Sequence, residues 1–189
     1  MANSRRISAA LRAVAAATLL TLGAWSADAL AASPQAPFGD KVSTAIFNYS
    51  RATPQIATSG RFAPAAVAEI QALGFTAILD LRAQTEKGVA EVTEAIQASG
   101  LRHLNIPIVT KAPTEAQVAQ FAVLVEDPAN YPLLVNCASA NRVGAIWALY
   151  RASKGVPPEI AVEEGRTLGL KPSREKAVRA RLGLPPLSS

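Results

Sequence analysis

One cysteine, one histidine and one methionine stand in the 189 residues of this chain, and aromatic side chains make up only 5% of it. A single cysteine excludes an internal disulfide, so the fold must rest on its core. One His with one Cys cannot build an ordinary zinc site, and neither a metal nor an organic cofactor is expected. Neither sign of charge dominates: 19 Lys and Arg stand against 14 Asp and Glu. That balance falls short of a dedicated nucleic-acid binder, and no nucleic-acid partner is expected. Repeats and low-complexity tracts are missing, and nothing marks a second domain.

What is present begins with an export pattern. Arg5, Arg6 and Arg12 precede an apolar segment over 13–25, which is too short and too Ala-rich for a comfortable membrane span. Ala29 and Ala31 supply the small residues that a signal peptidase reads. Residues 1–31 are therefore expected to be a secretory signal peptide, and the protein periplasmic or secreted, with no stable membrane insertion after cleavage. The alternative is a retained amino-terminal anchor. Cleavage would remove three basic residues and one acidic one, leaving 16 against 13, or +3. The late cluster Arg166, Lys171, Arg174, Lys176, Arg179 and Arg181 reads as the solvated face of a terminal helix, with an anion-attracting surface as the alternative.

Residues 32–41 form an extended lead-in, 42–184 a single domain and 185–189 a tail. Strands are expected over 44–49 and 55–58. A helix opens at Pro64 and stops at Gly74. Strand 76–81 follows, then a helix with Val89, Val92 and Ile96 inward and stopped by Gly100. After strand 101–108, Thr114 and Gln117 spell a capping box. That helix runs to about Asp127. A strand at Leu133, a helix from Val143 and helices over 158–167 and 173–182 complete the chain. Strands and helices alternate through short connections. The expected class is α/β, with a mostly parallel central sheet of four to five strands and helices on both faces. In such sheets ligands bind beyond the carboxyl ends of the strands. Cys137, Arg82 and the segment 109–113 each follow such an end.

The stretch from Pro132 to Gly144 carries the chemistry. An apolar strand over 133–135 runs into Asn136-Cys137-Ala138-Ser139-Ala140-Asn141-Arg142. The helix beyond turns Val143, Ile146, Trp147 and Tyr150 to one face. If the loop curls, the N–H groups of Ala138, Ser139, Ala140, Asn141 and Arg142 point toward the sulfur. A nest of donors at a helix start binds an anion and favours a thiolate. Arg142 adds a forked, permanent cation. A thiolate, an amide cradle and an arginine suit phosphoryl or sulfur transfer onto a small anionic or phosphorylated substrate. The plain alternative is a buried structural cysteine.

Several segments carry a resemblance: Ser59-Gly60-Arg61, then 74–82, then Gly100-Leu101-Arg102-His103-Leu104-Asn105-Ile106-Pro107, then 113–121 and 134–151. Together they resemble the bacterial beta-lactamase-hydrolase-like, dual-specificity-like branch of the cysteine phosphatases, in the protein tyrosine phosphatase superfamily. The resemblance spans roughly 42–155. It implies a phosphatase-like fold, Cys137 as nucleophile, and Arg142 with the loop amides as oxyanion binders.

The sequence also departs from that pattern. Phosphatases of this kind usually place His before the Cys, where Asn136 stands. They usually place Gly in mid-loop, where Ala140 stands, and a hydroxyl residue after the Arg, where Val143 stands. Four residues separate Cys137 from Arg142 instead of five, the length found in rhodanese-type sulfurtransferases. The loop 109–113 lacks the Asp that protonates the leaving group. Asp80, Glu86 and Glu115 are the candidate acids. Three readings therefore stand side by side: a Cys137-dependent phosphatase, a sulfurtransferase with a Cys137 persulfide, and a decayed site serving as an anion-binding or interaction module. Arg82 is a candidate substrate-binding residue or a partner for a carboxylate. Asp80, inside an apolar strand, needs a partner, and Arg82 or Arg142 would serve. His103 reads as a strand-face residue.

Overall fold

A computed structural model describes residues 42–187. The expected signal peptide over 1–31, the lead-in over 32–41 and the last two residues of the tail lie outside the described residues. Five strands form one sheet in the order β1-β2-β5-β3-β4. They are β1 Ser50–Thr53, β2 Ile56–Ser59, β3 Ala77–Asp80, β4 Arg102–Asn105 and β5 Leu133–Asn136. Only β1 runs antiparallel, against β2; β2, β5, β3 and β4 are mutually parallel. The helices are α1 Val67–Ala72, α2 Val89–Ser99, α3 Glu115–Glu126, α4 Asn141–Ser153, α5 Pro158–Thr167 and α6 Pro172–Arg181. None of the described helices is long and apolar enough to cross a membrane.

Side chains alternate across the strands and so feed two cores. Leu79, Leu133 and Val135 pack with Phe121, Val143, Ile146, Val162 and Val178 beneath α3 to α6. Ala57, Ile78 and Leu134 pack with Val67, Ile70, Val92 and Ile96 beneath α1 and α2. A sheet covered on both faces explains why its strands read as apolar runs. The capping box at α3 forms as expected: Thr114 Oγ1 accepts from Gln117 N at 3.2 Å, and Gln117 Oε1 from Thr114 N at 2.8 Å.

Helix α4 lies unusually close to α5. A Cβ on Gly144 would stand 2.3 Å from the Leu170 nitrogen, and one on Gly165 would stand 2.6 Å from the Gly144 carbonyl oxygen. Two glycines facing each other let the backbones touch.

Two expectations are corrected. Residues 44–49 form turns, not the first strand. Phe47 bonds across to Gly60 and Arg61, its carbonyl accepting at 2.6 Å and its N–H donating at 3.2 Å, while Ile46 anchors the lower core. The strand starts at Ser50 because Thr53 closes a hairpin there, its hydroxyl accepting from Gln55 N and Ile56 N. The late basic cluster is not simply a solvated face. Arg166 and Arg179 flank buried Glu175, and Arg179 also binds Glu159 at 3.1 Å. Arg181 donates to the Pro113 carbonyl at 2.6 Å, and Arg174 donates to the carbonyls of Thr110 and Lys111. The helical period does not reveal that this face meets acidic residues and loop carbonyls.

Candidate active site

The centre of the sheet positions the loop. β5 pairs on both sides, Asn136 standing in register with Ser59 of β2 and Asp80 of β3. Cys137 follows at once, 1% exposed, with its N–H donating to the Ser59 carbonyl at 3.3 Å. The carbonyl of Ala138 accepts from Arg61 N at 3.2 Å, and that of Ser139 from Asn48 Nδ2 at 3.2 Å. These carbonyls are drawn outward. In planar trans peptides the N–H groups of Ser139 and Ala140 therefore point the opposite way. Ala140 has φ 65° and ψ −6°, a left-handed conformation that suits glycine. Immediately after it α4 begins, with no side chain capping its first turn. The first N–H groups of a helix have no partner within the helix and favour an anion.

Arg142, the second residue of α4, is buried. Glu86 grips it from the loop after β3, Nη1 to Oε1 at 2.5 Å and Nη2 to Oε2 at 2.8 Å. Nη1 also faces the carbonyls of Leu81 and Ile108, each at 3.4 Å. A guanidinium carries five N–H donors. Glu86 and the two carbonyls engage the Nη1 pair and one Nη2 proton, leaving the Nε edge for a ligand. The bond to Glu86 raises the Arg142 pKa against the opposing effect of burial, and Cys137 acts in the same direction, its sulfur lying beside the guanidinium. In return, the hydrogen bond from Arg142 holds Glu86 below its ordinary pKa, outweighing desolvation. Glu86 is thus an ionised clamp and not a stored proton.

Neither of the other two candidate acids is free either. Asp80, fully buried, is locked to Arg82: Nη2 to Oδ2 is 2.6 Å, Nε reaches both oxygens at 3.0 Å, and Arg82 N bonds Oδ1 at 2.8 Å. That pair answers which arginine serves Asp80, and it commits the fork of Arg82 to a carboxylate. Glu115, 95% exposed at its side chain, faces Arg181 at 3.5 Å. Asn141, expected to line the pocket, turns to α6: Oδ1 accepts from Lys171 N at 2.8 Å and Nδ2 donates to Ser173 Oγ at 3.0 Å. Both polar atoms of the Asn136 side chain are buried without a partner among the described residues. His103 sits on β4, and burial lowers its pKa.

The loop thus brings together Cys137, Ala138, Ser139, Ala140 and Arg142. The roles of two groups are not legible in the sequence. Glu86, a candidate acid by sequence, serves as the arginine's partner; its place beyond the carboxyl end of a neighbouring strand is the available signal. Arg174 comes from α6, and its guanidinium interacts electrostatically with Arg142, Cys137 and Glu86. Nothing in the local sequence signals that approach.

Comparison with known proteins points the same way. The family model described as "DSP-PTPase phosphatase fused to NAD+ Kinase" matches residues 54–178. No curated protein matches the sequence. Among solved structures, a candidate phosphatase of Neisseria meningitidis is similar with TM-score 0.60 and 20% identity, covering 75% of this chain and 97% of its own. TpbA of P. aeruginosa is similar with TM-score 0.55 and 20% identity, over 76% and 95%. The core catalytic domain of the PP-IP phosphatase SIW14 from S. cerevisiae gives TM-score 0.56 and 17% identity, over 71% and 85%.

Proposed function

Because the chain belongs to the family of DSP-PTPase phosphatases fused to NAD+ kinase, within the cysteine-dependent tyrosine phosphatase superfamily, we propose that it is a phosphatase acting on phosphate monoesters through Cys137. The thiolate attacks phosphorus; an S–P bond forms while the P–O bond to the leaving group breaks, its electron pair departing on oxygen. Arg142, through its Nε edge, and the loop amides take up the equatorial oxygens. Water then cleaves the phosphocysteine and regenerates the thiol. One observation carries this reading: Arg142 is clamped from behind by Glu86 through Nη1 and Nη2, beside Cys137, so that the carboxylate leaves the Nε edge of the fork untaken. The segments quoted above support kinship with the beta-lactamase-hydrolase-like group. The amino-terminal pattern supports export to the periplasm or medium, where the substrate would be met.

The test is phosphate release from an aryl phosphate by the wild type and by Cys137→Ser, with vanadate as inhibitor. Release that vanishes in the variant and under vanadate is expected. The four-residue loop favours a second reading, sulfur transfer. Intact mass after thiosulfate separates the two: a Cys137-dependent gain of one sulfur, without phosphate release, would replace the phosphatase by a persulfide carrier. Neither activity would leave an anion-binding module.

A further inference from the structure

Each of the three candidate acids pairs with or faces an arginine. Asp80 binds Arg82, Glu86 binds Arg142, and Glu115 faces Arg181. The loop 109–113 contains no carboxylate. A carboxyl group without an arginine beside it is not on hand among them. A cation is. Arg174, half-buried in the first turn of α6, hangs from the exposed loop after β4, with Nη1 donating to the carbonyls of Thr110 and Lys111. Nε and Nη2 hydrogen-bond to no protein group among the described residues. Burial and the neighbouring Arg142 both work against its charge, while Cys137 and Glu86 favour it. Its position is fixed from the loop itself, because Asn141, next to Arg142, bonds Lys171 N and Ser173 Oγ at the start of the same helix.

In an in-line displacement the leaving oxygen lies opposite the attacking atom. With the sulfur at the floor of the amide cradle, that oxygen faces the rim, where the carbonyls of Thr110 and Lys111 hold Arg174. We infer that Arg174 binds the leaving oxygen as an anion, so that this site takes phosphoryl compounds whose leaving group departs as a stable oxyanion, such as aryl phosphates, and discriminates against alkyl phosphates. The inference rests on the phosphatase reading above. In the step, the thiolate pair forms S–P, the P–O pair leaves on oxygen, and no proton moves; the oxyanion pairs with Arg174 and is protonated later by solvent.

The experiment measures kcat/KM for aryl phosphates of graded phenol pKa, and for an alkyl phosphate, in the wild type, Arg174→Met and Arg174→Lys. Unfolding midpoints are recorded alongside. Inorganic phosphate is titrated calorimetrically into Cys137→Ser, with and without Arg174→Met. A steep fall of rate with rising leaving-group pKa is expected in the wild type, with little turnover of the alkyl phosphate. Arg174→Met should lose roughly 10²-fold in kcat/KM, Arg174→Lys should regain part of it, and phosphate should bind about tenfold more weakly without Arg174. Rates and affinities within twofold of wild type in a folded Arg174→Met would overturn the inference. So would a flat dependence on leaving-group pKa. A wild type that releases no phosphate from any ester, while Cys137→Ser binds phosphate, overturns the phosphatase reading instead, and the calorimetry then reports on Arg174 as an anion binder by itself.

Discussion

Glu86 holds Arg142 with both carboxylate oxygens, at 2.5 and 2.8 Å, across 56 positions of sequence. The pair joins the loop after β3 to the first turn of α4, and it decides which edge of the guanidinium faces the cradle. Without it the fork could rotate about its stem.

Glu86→Gln keeps the shape and removes the charge. A misoriented catalytic group can cost about 10²-fold in rate, and kcat/KM is expected to fall by roughly that factor. Steady-state kinetics on an aryl phosphate should show kcat falling along with a rise in KM, since in the proposed mechanism Arg142 binds the phosphoryl oxygens in both ground and transition states. Because the carboxylate is one-third exposed, the stability loss should stay near 1–2 kcal/mol, read from urea unfolding.

The same pair sets an acid limit. Glu86 is held below its ordinary value of 4.5 by Arg142. A depressed carboxylate contributes stability that is fully present above its unfolded value and disappears as pH falls through the folded one. Wild type and Glu86→Gln should therefore differ in unfolding midpoint at pH 6 and converge in acid below 4.5. A constant difference across pH 3–6 would contradict the assigned role.

Ala140 occupies a left-handed backbone position at φ 65°. A side chain there costs about 1–2 kcal/mol relative to glycine, partly offset by the greater freedom of an unfolded glycine. Ala140→Gly is expected to raise stability by up to about 1 kcal/mol. A lowered urea midpoint would instead mean that the Ala140 methyl against Gly169 contributes more than the backbone strain removes.

Asp80 and Arg82 form a buried pair, 0% and 5% exposed. Removing one partner strands the other, which typically costs 3–5 kcal/mol. Asp80→Asn should lose about that much, while Asp80→Asn with Arg82→Met should recover part of it. A double-variant cycle by chemical denaturation measures the coupling.

The fold was legible wherever the signal was local. Gly100, the Thr114–Gln117 capping box and the apolar runs of β3 and β5 each announce an element through its own residues. The start of β1 was not, because residues 44–49 have strand-like composition yet form turns, with the Phe47 backbone bonded to Gly60 and Arg61. In the site, Cys137 and Arg142 stood out through strand, loop and helix in succession. Glu86 was visible as a carboxylate but not as a clamp, since its partner lies on another element. Arg174 was visible only as one cation of the late basic cluster, not as a neighbour of the loop. Its use depends on how the last helix docks, and helix docking is a property of packed surfaces, not of the helix's own period.

Cys137 follows directly on β5, the middle strand, whose four residues are wholly buried and paired on both edges. Amides there can exchange with solvent only when the whole sheet opens. Hydrogen exchange should be slowest just before Cys137, while α6, the last described helix at the periphery, exchanges sooner. Heating should then loosen α6 and the Arg174 contacts to the Thr110 and Lys111 carbonyls first, and reach the thiol only when the domain itself is lost.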